Sequence, residues 1–438
     1  MSGDGNPRDA KLLAAIPQDA RSVLEFGCGD GRLGAAGKAA RSGLRWTGVD
    51  RSAAASGIAA SRLDAVVCMD LEALDASRLE GDYDTVVCDG LLEQLRAPHE
   101  VLRLARSVSA PGARMVCRVS NIAHVSVMER LLAGDLSCDP GGARFSPATV
   151  FKLLLDCGWL PHVLDRALIG HPNGNFLGHL VQAARELGIP EQTVLANIAS
   201  HELIVDAVKW SPPPAAQRAP FSVIVAVNNR TQFDLNVVRS PGLSEVQAPV
   251  IPVEGARNPA EALQSGLSRC TTPWIVFCHQ DVYFARGTGE ALGGLFGAVA
   301  PAAARAELIG FAGMSEFTNG TVAPAGLVID RGARFDHPQG AAAVSIDELA
   351  VGLAADSVHS IDPALGWHLW ATDLCLAARA RGIAGPRIVR TPLFHNSYND
   401  GQLPQAFYIA AGQLRAKYPQ LTSIPTLCGV IGPTAANV

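Results

Sequence analysis

The chain has 438 residues, of which 48% are apolar and 18% charged. That is enough to bury more than one core and too apolar for a disordered chain, and roughly 150 residues per domain favours two or three domains. A formal net charge of −5 argues against a broad basic nucleic-acid surface, and no apolar run reaches the roughly 18 residues of a membrane span.

The polar stretch Met1–Arg8 lacks the basic-then-apolar layout of a secretory signal, so a cytoplasmic location is expected. In the first half, short apolar runs at Ser22–Phe26, Trp46–Val49, Ala65–Cys68, Thr85–Cys88 and Arg114–Arg118 read as strands. Between them, Arg32–Arg41 and His99–Val108 have helical spacing. Strands alternating with helices predict an α/β fold with a parallel sheet covered on both faces. Residues 126–205 are expected to cover an acceptor.

The three consecutive prolines Pro212-Pro213-Pro214 suit neither a helix nor a central strand and read as a semi-rigid spacer. They suggest a domain at 1–210, a linker at 211–220 and a second domain at 221–438. The alternation then resumes with strands at Ser222–Val227, Val250–Val253 and Trp274–Cys278 around a helix at Pro259–Arg269. Ten cysteines, spread from Cys28 to Cys428 with no Cys-x-x-Cys pair, point to buried reduced thiols rather than a zinc ribbon or a disulfide scaffold.

Ser22–Phe26 runs into Gly27-Cys28-Gly29-Asp30-Gly31-Arg32-Leu33-Gly34 and then into a helix. Glycines let backbone approach a ligand closely, and the helix start behind them favours negative charge. Gly29, Gly31 and Gly34 fit G-x-G-x-x-G, and Asp50 follows about 20 residues on, as a ribose-binding acid does. That pattern alone admits NAD. Glu25, two residues before Gly27, would repel a pyrophosphate and welcome a cationic methionyl group. Asp70, followed by Leu71, ends the third strand candidate, where it suits an adenine amine.

Acids after strands one, two and three resemble the class I S-adenosylmethionine (SAM)-dependent methyltransferases. The segment Val86–Pro98 is similar to that family's stretch after strand four, which usually reads Leu-Glu-His-Leu before an acid and proline; Gln94 here replaces the histidine. Ala110–Ala113 and Ser120–His124 are also similar, so the likeness spans about residues 10–180. It implies a Rossmann-like sheet with SAM held by Glu25, Gly27, Gly29, Gly31, Asp50, Asp70, Leu71 and Asp89. His124, just past the fifth strand, is either a general base for a hydroxyl acceptor or a structural histidine.

In the second half, strand ends carry Asn228-Asn229 and Glu254, the latter followed by Arg257, and Trp274–Cys278 leads to His279-Gln280-Asp281-Val282. An acid at the end of a buried strand is costly unless paired or bound to metal, and a nucleoside diphosphate with Mg²⁺ or Mn²⁺ satisfies it. The layout resembles GT-A-fold glycosyltransferases, with the His-Gln-Asp-Val segment similar to the one that replaces Asp-x-Asp in a bacterial branch. Gly366–Leu376 looks like the acceptor-side acid motif, and Phe394-His395-Asn396-Ser397 like the late metal-binding histidine. The resemblance implies that Asp281 and His395 hold Mn²⁺ or Mg²⁺ and that Asp373 is the general base. It also implies that Asn228, Glu254, Arg257 and Asp281 contact a nucleotide-sugar.

The expected protein is a two-domain transferase that methylates from SAM and adds a sugar to a glycan or glycosylated small molecule. Alternatives are a methyltransferase carrying a non-catalytic sugar-nucleotide- or glycan-binding domain, a scaffold subunit, and an NAD-dependent oxidoreductase.

Overall fold

The structure, a computed structural model, describes residues 7–73, 76–79, 81–135, 144–168, 174–214, 217–383, 386–398 and 402–432. The chain divides into two compact units, passing from one to the other between Ser211 and Pro212.

In the first unit the strands are β1 (Ser22–Phe26), β2 (Arg45–Asp50), β3 (Ala65–Cys68), β4 (Tyr83–Asp89), β5 (Ser109–Ser120), β6 (Trp159–Leu168) and β7 (Ser200–Lys209). They form one sheet in the order β3-β2-β1-β4-β5-β7-β6. β1 to β5 are mutually parallel, while β7 runs antiparallel to both β5 and β6. The helices are α1 (Pro7–Ala15), α2 (Arg32–Ala40), α3 (Ala53–Ala59), α4 (Pro98–Ser107), α5 (Val125–Leu132), α6 (Pro147–Asp156), α7 (Gly174–Glu186) and α8 (Glu191–Ile198).

α2 can lie close on the sheet because its inner positions are Gly34 and Gly37. A Cβ there would come within 2.7 and 2.6 Å of the Trp46 ring, which is fully buried. The expectation of an all-parallel sheet is corrected by β6 and β7. Their apolar runs are broken by His162, Asp165, Glu202 and Asp206, which conceals the strand period. Asp206 is nevertheless fully buried, because Arg114 Nε on the neighbouring β5 donates to it at 2.6 Å.

The second unit holds, among the described residues, two mixed sheets and a two-stranded antiparallel pair, Ile424–Thr426 with Gly429–Ile431. Its strands are β8 (Phe221–Val227), β9 (Val250–Glu254), β10 (Trp274–Cys278), β11 (Val282–Tyr283), β12 (Leu308–Gly310), β13 (Ala312–Glu316), β14 (Val322–Asp330), β15 (Ala333–His337), β16 (Ala342–Ile346), β17 (Ala350–Ala354), β18 (Arg387–Ile388) and β19 (Leu393–His395). One sheet has the order β18-β12-β17-β10-β8-β9, the other β11-β19-β14-β13-β16 with β15 added to β14. Alternate residues of the central strands serve opposite faces. Val223, Val225 and Val276 pack with Phe296 on one side, while Ile224, Ile275 and Phe277 pack with Trp370 and Leu374 on the other.

Among the described residues no helix is long and apolar enough to cross a membrane. The described cysteines are free, but Cys68 and Cys428 are exposed and Cys270 is only half-buried, so the expectation of buried thiols fails at those three; Cys138 lies outside the described residues.

Candidate active sites

In the first unit the carboxyl ends of β1 to β4 form one edge. Gly27 and Cys28 N–H donate to Val49 O at 2.7 and 3.1 Å, folding the glycine loop back over β2. Asp50 closes it: one carboxylate oxygen accepts Gly29 N–H at 2.8 Å and the other accepts Ser52 N–H at 2.8 Å. Gly29 and Gly31 adopt φ of 53° and 79°, left-handed values that side chains rarely tolerate. A Cβ on Gly29 would meet nothing within 4 Å, so the loop presents bare backbone to open space at a helix start.

Glu25 is 3% exposed and accepts Trp46 Nε1–H at 2.8 Å. Burial pushes its carboxyl up to about 8, and the Asp89, Asp9 and Asp50 charges push in the same direction. Asp70 follows along the edge, exposed, with Glu72 N–H donating to it at 2.9 Å, and Leu71 beside it is buried. Glu25, Gly27, Gly29, Gly31, Asp50, Asp70 and Leu71 are therefore gathered on one edge.

Asp89 and His124 are placed differently. Arg118 grips Asp89 with two bonds of 2.6 Å, so Asp89 is half of an ion pair rather than an open ligand group. His124 is 2% exposed and caps α5, its Nδ1 lying 2.7 Å from Ser126 Oγ. Of the two roles the sequence leaves open for it, the geometry supplies the structural one. Glu93, assigned nothing from sequence, accepts Ser120 N–H at 2.8 Å where β5 ends.

The sheet order, the glycine loop and the acids behind it define a Rossmann-like ligand-binding unit. Residues 6–156 match the family model of a methyltransferase domain, and this part of the chain is a methyltransferase domain. Among curated proteins there is no match. Solved structures similar to the chain include a SAM-dependent methyltransferase from Archaeoglobus fulgidus, 18% identical, covering 46% of this chain and 93% of its own, TM-score 0.34. A SAM-dependent methyltransferase from Thermotoga maritima is 16% identical, with coverages of 46% and 87% and a TM-score of 0.34. The N-methyltransferase NodS from Bradyrhizobium japonicum, in complex with S-adenosylhomocysteine, is 17% identical, with coverages of 47% and 89% and a TM-score of 0.30.

In the second unit the ends of β8, β9 and β10 form an analogous edge. β8 and β9 pair with Val227 opposite Glu254, and β10 runs parallel on the other side of β8. Gln280 stitches the edge together: its Oε1 accepts Asn228 and Asn229 N–H at 2.9 and 2.8 Å, and its Nε2 donates to Asn228 Oδ1 at 2.6 Å. Asn228, Glu254 and Asp281 thus share the edge. Arg257 instead turns onto Glu261, its Nε 3.0 Å from the carboxylate, and is well exposed.

β11 pairs with β19 so that Val282 faces His395, which sets Asp281 against His395. His395 Nε2 lies 3.3 Å from Asp281 Oδ1, and Nδ1 lies 3.1 Å from Asp330. His279 joins them: ligand atoms of His279, Asp281 and His395 all lie within 4.8 Å of one another. Burial pulls the His279 ring down towards neutrality. Burial also opposes charge on Asp281 and His395, but each outweighs it for the other, taking Asp281 to about 2 and, with Asp330, His395 to about 10. Asp281 Oδ1 and His395 Nε2 are buried and, among the described residues, lack a partner with hydrogen-bond geometry. Sequence reasoning missed His279, which stands where an acid was sought, and Asp330, which β14 delivers from a distant stretch.

Asp373 is not brought to this edge as an open group. It is 1% exposed, and its two oxygens receive Lys417 Nζ and Tyr418 OH, each at 2.8 Å. The sequence expects it to be a base on an acceptor; in the structure it links the helices Trp370–Ala380 and Gln405–Lys417 through these bonds. Glu348 was overlooked. It lies between β16 and β17 and accepts Leu369 N–H. Leu369 opens the helix at φ 62°, a left-handed conformation that costs a non-glycine residue about 1–2 kcal/mol.

Proposed function

We propose that the chain is a two-site transferase, with a domain at 1–210 that transfers a methyl group from SAM and a GT-A-like domain at 221–438 that transfers a sugar from a nucleotide-sugar. The observation that carries the first half is the bare loop Gly27–Gly31, closed by Asp50 and backed by the buried Glu25. These residues fit SAM. Gly29 leaves open space that a Cβ would fill, and a buried carboxylate whose proton affinity is raised accommodates an ammonium group. Glu25 would receive the methionyl amine, Asp50 the ribose hydroxyls, and Asp70 with Leu71 the adenine. Bound there, SAM supplies an electrophilic methyl group, and the chain's part is to orient it and exclude water.

The second half rests on His279, Asp281 and His395. Asp281 Oδ1 and His395 Nε2, which lack a partner with hydrogen-bond geometry among the described residues, and the His279 ring beside them fit a divalent cation, and two imidazoles with one carboxylate favour Mn²⁺ over the all-oxygen preference of Mg²⁺. The three side chains would hold the ion against a diphosphate, where it supplies positive charge to the leaving group. Asn228 and Glu254 on the same edge would contact the nucleoside. The acceptor for both reactions would be a glycan or glycosylated small molecule. Linkage in one chain would raise the local concentration of an intermediate passed between the sites, and transfer by the two sites only to unrelated acceptors would rule that coupling out.

Calorimetry tests both halves on the intact chain: S-adenosylhomocysteine for the first site, and UDP, GDP and TDP with and without Mn²⁺ for the second. Binding of S-adenosylhomocysteine and metal-dependent binding of one nucleotide are expected. Silence from every nucleotide would leave a methyltransferase with a partner domain of another kind.

Two glycine substitutions separate cofactor contact from packing. Gly34→Ala, whose Cβ would meet Leu63 at 2.5 Å and Trp46 at 2.7 Å, is expected to lower stability by about 1–3 kcal/mol. Gly29→Ala carries only the left-handed backbone cost of about 1–2 kcal/mol, yet should weaken S-adenosylhomocysteine binding at least tenfold. Denaturation and calorimetry read the two effects apart, and equal affinity for the wild type and Gly29→Ala would remove the loop from the site.

A further inference from the structure

The segment Asp347-Glu348-Leu349 is tied to the elements on either side of it. On one side, His279 N–H donates to Leu349 O at 2.9 Å, so the segment abuts the strand end that carries the His279–Asp281–His395 cluster. On the other, Thr372 Oγ1 donates to Ile346 O at 3.2 Å and Leu369 N–H donates to Glu348, so the same segment fixes the start of the helix Trp370–Ala380. Glu348 is thereby held between the cluster and the stretch Gly366–Leu369. Within that stretch Trp367 is 41% exposed, whereas Trp370 is buried against Phe277. An exposed indole is a stacking surface for a sugar ring.

We infer that Glu348 is the general base that takes the acceptor hydroxyl proton, with Trp367 as the platform on which the acceptor lies. The inference deepens the nucleotide-sugar reading of this site and rests on it. In the step, the acceptor oxygen bonds to the anomeric carbon of the donor, and the bond from that carbon to the phosphate oxygen breaks. The leaving nucleoside diphosphate takes the electron pair, and the acceptor proton passes to the Glu348 carboxylate. Burial, with the adjacent Asp347 charge, pushes the Glu348 carboxyl up to about 8. The fraction that is ionised near neutral pH is a stronger base than an ordinary glutamate carboxylate. Asp373 instead has each of its oxygens engaged by a partner inside the fold.

The test is Glu348→Gln in the full chain, which preserves shape and still accepts the Leu369 N–H. Two quantities are read: Mn²⁺-dependent binding of nucleoside diphosphate, and release of nucleoside diphosphate from UDP-, GDP- and TDP-hexoses with water as acceptor. Binding within about twofold of wild type and release reduced about 10²–10⁴-fold are expected. Undiminished release in the variant overturns the base assignment while leaving the donor reading intact. Loss of binding along with release also overturns it, by making Glu348 part of the donor site. A wild type that binds nucleotide yet releases none has no transfer for a base to assist, which overturns the inference as well. A wild type that binds no nucleotide overturns the donor reading itself.

Discussion

Glu25→Gln is expected to make the first unit more stable than wild type at pH 8 while lowering its affinity for SAM about 100-fold. Both effects come from one buried carboxyl. With its folded value raised from 4.5 to about 8, nothing distinguishes folded from unfolded chain below pH 4.5, because both hold the proton. As pH rises from 4.5 to 8 the unfolded chain releases the proton first, and stability falls by about 1.4 kcal/mol per pH unit. The cumulative cost near pH 8 is on the order of 3–5 kcal/mol. Glutamine keeps the size and an oxygen for Trp46 Nε1 but has nothing to titrate, so the variant should lose this pH dependence. Affinity moves the other way, since truncating the buried partner of a ligand cation costs about 2–5 kcal/mol. Denaturant unfolding at pH 5 and pH 8 measures the first effect in the transition that SAM shifts, and calorimetry measures the second. Parallel pH dependences in variant and wild type, or equal affinities, would remove Glu25 from the site.

The loop Gly27–Gly31 was legible because its parts are adjacent in sequence and its partners sit at strand ends, where hydrophobic runs stop. Asp281 and His395 could be named for the same reason. What stayed hidden depends on pairing between distant segments. Asp330 reaches His395 only because β14 and β19 run parallel with Asp330 opposite His395. The segment Asp347–Leu349 comes beside His279 only because β17 lies antiparallel to β10 with Cys278 opposite Ala350. The pairing of Asp373 stayed hidden because an acid in the first turn of a helix looks the same whether it faces solvent or a lysine. Its partners Lys417 and Tyr418 come from the end of another helix more than forty residues on. The pairing of Asp89 was hidden likewise, its partner Arg118 lying opposite on the next strand. In each case the acid's place on the strand or helix could be read from sequence, and its occupancy could not.

Asp281→Asn is expected to abolish Mn²⁺-dependent nucleotide binding, with an affinity loss of at least about 100-fold, and to leave S-adenosylhomocysteine binding unchanged. Asp281 and Asp330 flank His395 and hold its proton. A metal must displace that proton, since only a neutral imidazole can ligate. The ion then takes over the pairing with Asp281. Asparagine keeps the shape but offers a neutral oxygen in place of an anionic one, so the exchange loses its electrostatic drive. The fold should tolerate the change because Asp330 still faces His395 at 3.1 Å, so no buried charge is left wholly unpaired. Stability measured by thermal unfolding should therefore drop by no more than about 1–2 kcal/mol. This separates the variant from one that fails by unfolding. Equal Mn²⁺-dependent affinity in variant and wild type would show that the ion binds elsewhere. Binding that is metal-independent in both would leave the His279–Asp281–His395 cluster as an internal ion pair, with the diphosphate held by other groups on the edge.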